Sequence, residues 1–298
     1  MKSLILFFTL LCNSFAHAQT KLELYDIAGM QLRLMERSAA LDSVSRSRLF
    51  IDSVYKPYHE FWEGYIGAAA DLATWMEEAM PRLKSWQEKN KLIQRAALLK
   101  DLNTVAKKLK KMSGYAPVGK WYIVYGPAWT DLGGLSDFAM LIDLAHASNS
   151  SNERILNILP HELTHQIMTS VKKDKDSTAI ESIINEGFAV WMNQRYWGKK
   201  LSLAQNLGYT EEELQLCDKN IEALKKFLAA NKFSANKDII NVFRNRTEKI
   251  NQKLPGAIGY YLGYRIVEAY VKKRGKHSWK DIFTMSSREV YRLSGFAS

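Results

Sequence analysis

The chain contains 298 residues, with 42 Lys and Arg against 31 Asp and Glu, which gives a formal net charge of +11. A chain of this length is enough for one large domain or two closely packed lobes with a sizeable core. The positive balance favours contact with an anionic surface. Because the basic residues are scattered along the chain, the sequence does not predict a nucleic-acid partner.

The N-terminus has the order of features that is typical of a secretory signal peptide. Met1-Lys2 precedes an apolar run from Leu4 to Phe15, and Ala16-His17-Ala18 supplies small residues for cleavage. We therefore expect residues 1–18 to be a signal peptide and the protein to be exported, to the periplasm or the extracellular space. A lipoprotein would instead use Cys12, but Leu11 stands before it where a small residue is expected. No later run approaches the roughly 20 apolar residues of a membrane helix, so we expect no membrane span in the mature chain.

Two parts of the chain differ in their hydrophobic pattern. From Leu22 to about Met112, apolar residues recur at three- and four-residue spacing, which predicts a helical N-terminal lobe over residues 19–112. In the second part, residues 113–298, Lys120–Tyr125 and Phe138–Leu144 have the composition of strands, and most of the rest is helical in pattern. The two parts can pack as one domain. The predicted fold class is α+β and predominantly α, with a small sheet or hairpin upstream of the helix described next.

His161-Glu162-Leu163-Thr164-His165 is an HExxH sequence. A capping pattern at Ser150–Glu153 predicts a helix that reaches about Val171. Pro160 either kinks this helix or begins a new one in its first turn. In both cases the two histidines lie one turn apart on the same face, so both imidazoles can reach one ion.

The following helix is predicted to carry a further ligand. Thr178 with Glu181 three residues later is a capping pattern, and Gly198 is a natural end for the helix. Glu186, in Asn185-Glu186-Gly187-Phe188-Ala189, then falls about two turns into the helix. If the two helices pack antiparallel, its carboxylate can face the paired histidines.

This set of side chains matches the needs of a catalytic zinc site, which typically has three protein ligands and one open position for water. We expect His161, His165 and Glu186 to bind one Zn²⁺ ion. Glu162 lies beside the histidines and is expected to act as a general base on the bound water. A structural zinc site is a less favoured alternative because such sites prefer cysteine, and Cys217 is the only cysteine beyond the predicted signal peptide.

The motifs together resemble known metallopeptidase families. HELTHQ, whose second His is followed after twenty intervening residues by the Glu of NEGFA, resembles the gluzincins, zinc metallopeptidases whose third ligand is a Glu on the next helix. The residues around that Glu look like those of the aminopeptidase N branch. Together with Gly259-Tyr260-Tyr261-Leu262-Gly263-Tyr264, the pattern is also similar to a bacterial family of predicted zinc-dependent proteases without assigned substrates, from about Lys120 to the end. The resemblance implies a zincin-like fold and a peptide or protein substrate.

The resemblance also implies a Tyr or His that donates a hydrogen bond to the oxyanion formed during hydrolysis. Tyr264 is the first candidate and Tyr260 the second, with His277 a further possibility. For each Tyr the alternative is that its ring only packs against the core, with the neighbouring glycines allowing a close approach. The segment from Gly134 to Leu144 contains no Glu, whereas the aminopeptidase branch has an amine-binding Glu there, so aminopeptidase activity is not expected.

The sequence therefore predicts an exported zinc metallopeptidase of gluzincin type. The alternative, from a different class, is a catalytically silent protein of zincin fold that binds or organises partners in the cell envelope. In that case the helical N-terminal lobe and the basic surface would contact a membrane or another protein.

Overall fold

The computed structural model describes residues 22–136, 139–172 and 176–296, which form a mostly helical molecule with one four-stranded sheet. This confirms the predicted fold class at the level of a predominantly α protein with a small sheet. The predicted signal peptide and Cys12 lie outside the described residues. None of the helices in the described ranges is long and apolar enough to cross a membrane.

The strands are β1 (Leu22–Asp26), β2 (Gly119–Val124), β3 (Leu132–Ser136) and β4 (Ala139–Asp143). The α-helices are α1 (Ile27–Ser38), α2 (Ser43–Phe50), α3 (His59–Tyr65), α4 (Ala69–Ala79), α5 (Leu83–Leu92), α6 (Arg95–Ser113), α7 (Asn152–Val171), α8 (Ala179–Trp197), α9 (Leu203–Leu207), α10 (Glu211–Lys219), α11 (Ile221–Asn231), α12 (Lys237–Arg244), α13 (Ile258–Arg274) and α14 (Ser287–Ser294). Single turns of π- or 3₁₀-helix occur at Ile51–Tyr55, Lys56–Tyr58, Met80–Arg82 and Gly198–Lys200, and a longer 3₁₀ segment at Ser278–Phe283.

The sheet has the order β1-β2-β4-β3, with β1, β2 and β4 parallel and β3 antiparallel to β4. The first residues of the predicted helical lobe are therefore a strand, with Leu24 opposite Trp121. The helical prediction was wrong there because pairing with a buried neighbouring strand outweighs local spacing. The division at residue 112 stays a prediction, although β1 and β2 join both parts in one sheet.

Two buried polar side chains fasten helices to this sheet. Gln31 of α1 donates from Nε2 to the carbonyl of Tyr125 at 2.8 Å and accepts from its N–H at 2.9 Å. Trp121 of β2 donates from Nε1 to Oε1 of Gln166 on α7 at 3.0 Å. Because a buried polar group is costly without its partner, these bonds set where α1 and α7 sit against the sheet.

α7 runs through Pro160 as one helix. Ser151 caps its N-terminus by accepting from the N–H of Arg154 at 3.2 Å. A proline inside a helix removes one backbone hydrogen bond. The carbonyl of Pro160 itself accepts from the hydroxyl of Thr164 at 2.7 Å. The two histidines of the motif are therefore helical, as both sequence alternatives required.

α8 begins at Ala179, but the predicted cap at Thr178 and Glu181 is wrong. The first N–H groups of α8 donate to carbonyls of a distant segment, Ala179 to Ser234 and Ile180 to Lys232, both at 2.8 Å. The hydroxyl of Thr178 has no hydrogen-bond partner among the described residues. Glu181 instead accepts from Nζ of the buried Lys172 at 2.6 Å. Tertiary contacts thus take over the role that a local cap would have had.

α8 and α13 cross at two glycines. A Cβ atom added to Gly187 would lie 2.0 Å from the carbonyl carbon of Gly263, and one added to Gly263 would lie 1.9 Å from the carbonyl oxygen of Ile183. Both glycines are therefore required by a backbone-to-backbone contact, because real Cβ atoms do not approach other atoms so closely. Gly187 follows Glu186 directly, so this contact adjoins the residues of the candidate site.

Substituting Gly187 by Ala should destabilise the protein by about 3 kcal/mol, because the two helices must separate to admit the methyl group. Gly64→Ala is the matched control: Gly64 is an exposed helical glycine whose added Cβ meets nothing within 4 Å. That change should be neutral or stabilising by about 0.5–1 kcal/mol. Urea unfolding followed by circular dichroism measures both. Equal midpoints for the two variants would contradict the close crossing.

Candidate metal centre and adjoining cavity

The structure brings His161, His165 and Glu186 together between α7 and α8. Oε2 of Glu186 lies 3.3 Å from Nε2 of His161 and 3.2 Å from Nε2 of His165. The two Nε2 atoms are 3.0 Å apart. All three donor atoms lie within 4.8 Å of one another, and no other such group occurs among the described residues. The helix spacing of the motif on α7 and the depth of Glu186 in α8 produce this convergence.

The spacing of the donor atoms fits a metal ion. Zinc bonds to nitrogen and carboxylate oxygen are about 2.0–2.2 Å long, so tetrahedral ligands stand about 3.3 Å from each other. The three observed separations lie near this value. Two imidazoles and one carboxylate are also a common donor set for zinc. His161, His165 and Glu186 are therefore the residues that can hold a metal.

Asn185 orients one of the imidazoles. Its Oδ1 lies 3.0 Å from Nδ1 of His165. An amide oxygen can only accept a hydrogen bond, so Nδ1 carries a proton, and Nε2 is the ring nitrogen that lies next to Glu186 and His161. The sequence analysis assigned no role to Asn185. It is adjacent to Glu186, but only the packing of α8 on α7 shows that it reaches His165.

Burial and charge act against each other in this site. Burial raises the pKa of Glu162 to about 8, with a further contribution from the carboxylate of Glu186. Burial disfavours the charged form of His165, but Glu186 outweighs it and raises the pKa of that imidazole to about 9. Burial also opposes the charge on Glu186, yet the two imidazoles hold the pKa of its carboxyl well below the usual value. Burial lowers the pKa of His161.

Of the tyrosines proposed from the sequence, Tyr260 reaches the site. Its ring lies parallel to that of His161, with centroids 6.1 Å apart. Burial raises the pKa of its hydroxyl, and the nearby Glu186 raises it further. Tyr264 lies one turn along α13 and does not line the site; its ring is 5.9 Å from the guanidinium of Arg265. His277 lies at another cavity, beside Trp279.

The triad opens into a cavity of about 610 Å³ with a largely polar lining. Glu162 lies in this lining, with its Oε1 4.0 Å from Nε2 of His161. Two arginines of the lining, Arg244 and Arg246, had no role in the sequence analysis. Arg244 is the last residue of α12 and Arg246 follows it by two residues. Neither belongs to a recognisable motif, so the local sequence gave no signal for them.

Asp143 holds the segment that forms one wall of the cavity. This buried residue at the end of β4 accepts hydrogen bonds from the N–H groups of Gly126 at 2.9 Å, Ala128 at 2.8 Å and Ala145 at 2.8 Å, and from the hydroxyl of Tyr65 at 2.7 Å. Burial raises the pKa of its carboxyl, and these four hydrogen bonds oppose that effect. The loop between β2 and β3 is thereby fastened to the core.

Comparison with protein families identifies the second half of the chain. Residues 150–298, half of the 298 residues, match the family model described as gliding motility protein GldB. The chain belongs to the GldB family. Neither among curated proteins nor among solved structures was a significant match found.

Membership of the GldB family overturns the peptidase prediction. The matched residues include the HExxH sequence, Glu186 and the tyrosine segment of α13, and the family is one of gliding-motility lipoproteins, not of zinc proteases. The resemblances to gluzincins and to the bacterial predicted proteases were therefore wrong as identifications. The prediction of an enzyme, a zinc metallopeptidase, was wrong for the same reason.

A lipoprotein family is consistent with a location in the cell envelope, which is the coarser part of the export prediction. The predicted cleavage site after Ala18 and the Cys12 of the less favoured lipoprotein alternative both lie outside the described residues of this GldB-family chain.

Asp143→Asn should destabilise this GldB-family protein by about 4 kcal/mol, because one amide oxygen cannot satisfy four buried donors. Tyr65→Phe removes one of these donors and leaves the carboxylate in place, so a loss of about 2 kcal/mol is expected. Thermal and urea unfolding give both values. A smaller effect for Asp143→Asn than for Tyr65→Phe would show that the carboxylate does not hold the loop.

Proposed function

We propose that this protein is a non-catalytic binding or organising component of the cell envelope that serves gliding motility and holds one Zn²⁺ ion on His161, His165 and Glu186. The observation that carries the proposal is the match of residues 150–298 to the GldB family, because these residues contain the whole triad. The proposal corresponds to the alternative that the sequence left open, a silent protein with a zincin-like arrangement of ligand helices.

The buried charges of the site support a cation there. Glu162 and Glu186 place two carboxyl groups next to paired imidazoles, with side chains only 13% and 11% exposed. When bound, zinc supplies a divalent positive charge that joins the two ligands of α7 to the one of α8. Asn185 holds the ring of His165, and Tyr260 covers His161. In this role the triad stabilises the wall of a binding cavity.

The location is proposed from the lipoprotein family and the signal-like N-terminus. We place the folded part on the exported side of a membrane, in the periplasm or at the cell surface, with Cys12 as the site of lipid attachment. Contact of the basic surface with anionic headgroups stays a prediction from the net charge of +11. A peptide or protein partner takes the place of the peptidase substrate, and nucleic acid is not proposed as a partner.

Purified protein should contain about one zinc per chain by mass spectrometry of the metal, and His165→Ala and Glu186→Ala should each lose it. Glu162→Gln, isosteric and outside the ligand set, should keep the zinc. A mixed peptide library should remain intact with the wild-type protein. In gliding cells Glu162→Gln should support normal movement, whereas His165→Ala should impair it.

Two results would overturn this proposal. Peptide cleavage that the wild-type protein performs and Glu162→Gln lacks would show catalysis. A wild-type protein that binds no zinc, even after incubation with the metal, would remove the proposed centre. Circular dichroism of each variant separates loss of metal from loss of fold.

Asn185→Ala should weaken zinc binding by about 10–100-fold, because the ring of His165 then loses the partner that fixes its tautomer and orientation. Asn103→Ala is the matched control, since Asn103 is an exposed residue of α6 whose amide bonds only to the carbonyl of Leu99. Competition with a fluorescent zinc chelator measures the affinities. Equal affinities in the two variants would show that Asn185 does not act on the metal centre.

A further inference from the structure

The cavity beside the triad continues beyond it. A second cavity of about 520 Å³ shares Asp131, Ile158, Gln205, Asn206 and Gly208 with the first. The two cavities therefore adjoin along these residues, and together, as the cleft, they extend from the triad to Arg154. A cleft of this extent can hold a segment of chain, not only a single small group.

Arg246 is built into the lining at the triad end of the cleft. Its guanidinium donates to the carbonyl of Leu207 and lies 5.1 Å from the ring of Tyr209 and 5.9 Å from that of Tyr260. Stacking on aromatic rings is a normal way to hold an arginine in one orientation. The same Tyr260 covers His161, so Arg246 belongs to the wall of the candidate site.

Glycines provide the space that Arg246 occupies. A Cβ atom on Gly208, whose φ is +65°, would lie 2.7 Å from Nη2 of Arg246. A Cβ atom on Gly256 would lie 2.1 Å from the backbone oxygen of Arg246. The guanidinium group and the backbone of Arg246 thus both lie against glycine, while the residue as a whole remains exposed.

The arginines of the cleft lack acidic partners. Among the described residues, no ion pair to a carboxylate is formed by Arg244 or Arg246 at one end or by Arg154 at the other. Arg154, Arg244 and Arg246 are exposed residues, so their guanidinium groups are accessible to a ligand. Apart from Glu162 and Glu186, Asp131 is the only carboxylate in the described lining. Guanidinium groups that are left unpaired along a cleft favour an anionic ligand.

The lining between the arginines favours a polypeptide as the ligand. Side-chain amides of Asn185 and Gln205 line the cleft. Their oxygens are engaged by His165 and by the N–H of Ser202, which leaves their NH2 groups to donate to the carbonyl oxygens of a peptide backbone. The cleft also reaches β3 through Leu132, Gly133 and Gly134. Within the described part of the chain β3 pairs with β4 alone, so no described strand occupies its outer edge, and an extended ligand could pair there.

We propose that the cleft binds an extended, acidic segment of a partner protein, with Arg246 and Arg244 receiving a carboxylate next to the triad and Arg154 receiving another at the far end. This inference rests on the proposed function, for which it names the chemistry of the partner. An acidic polysaccharide would offer the same charges without the backbone amides.

Binding of a short fluorescein-labelled peptide of alternating Glu and Ser to the zinc-loaded protein tests the proposal, with fluorescence anisotropy as the measurement. The matched peptide with Gln in place of Glu should bind about tenfold more weakly or worse, because it lacks charge-assisted hydrogen bonds to arginine. Affinity for the Glu peptide should fall as salt is raised. Arg246→Gln should reduce that affinity about tenfold, and Arg246→Lys should restore part of it.

Arg37→Gln is the control, since Arg37 is an exposed arginine of α1 that lines neither cavity. It removes the same charge and should leave peptide affinity unchanged. Equal affinities of the Glu and Gln peptides, or an equal loss in Arg37→Gln and Arg246→Gln, would overturn the proposal. So would polygalacturonate that binds more tightly than the Glu peptide and displaces it. If circular dichroism shows that Arg246→Gln does not fold, two other measurements test the proposal instead. They are the affinity of Arg244→Gln for the Glu peptide and the salt dependence of the wild-type affinity.

The same measurements distinguish a failure of this inference from a failure of the proposed function. If the protein binds zinc, hydrolyses no peptide and has equal affinity for the Glu and Gln peptides, the acidic partner is excluded and the proposed function stands. Cleavage of the bound Glu peptide, checked by mass spectrometry at the end of each titration, refutes the non-catalytic role while the charge preference can still hold.

Discussion

The backbone contact between Gly187 and Gly263 is the constraint on which the rest of the site depends. No side chain fits between α8 and α13 at that point, so the two helices meet at one register. Glu186 is the residue before Gly187, and its direction towards α7 follows from this register. Tyr260 lies nearly one turn before Gly263, and the same contact brings its ring over His161. The glycines that the sequence analysis treated as an alternative to chemistry are therefore what assembles the site.

The HExxH sequence illustrates the difference between a local geometry and a function. Helix spacing places His161 and His165 on one face in any protein that carries the motif on a helix. Hydrolysis needs more than this spacing, and the membership of residues 150–298 in the GldB family decides against a peptidase. The arrangement of donors is compatible with a role in binding, because the same triad can stabilise a cavity wall as well as activate water.

Several predictions made from local sequence differ from the tertiary structure, each for an identifiable reason. β1 is a strand because β2 offers a buried edge, although its residues continue a helical spacing. Thr178 does not cap α8 because the carbonyls of Lys232 and Ser234 already satisfy the first N–H groups. Tyr264 and Tyr260 are equivalent in sequence, since both lie on one face of α13. Only the position of the crossing shows that Tyr260 is the one at the site.

The sequence by itself determined the helical character of most of the chain, the presence of strands upstream of the motif, the helices of the motif and the candidate ligands, because these follow from residue types and spacing within single segments. Tertiary structure alone decided that Asn185 orients His165, that Asp143 holds the cavity wall, and that Arg244 and Arg246 face the triad. Those relations join residues from separate elements. Their distances arise from packing between helices and sheet, which no local pattern of residues encodes.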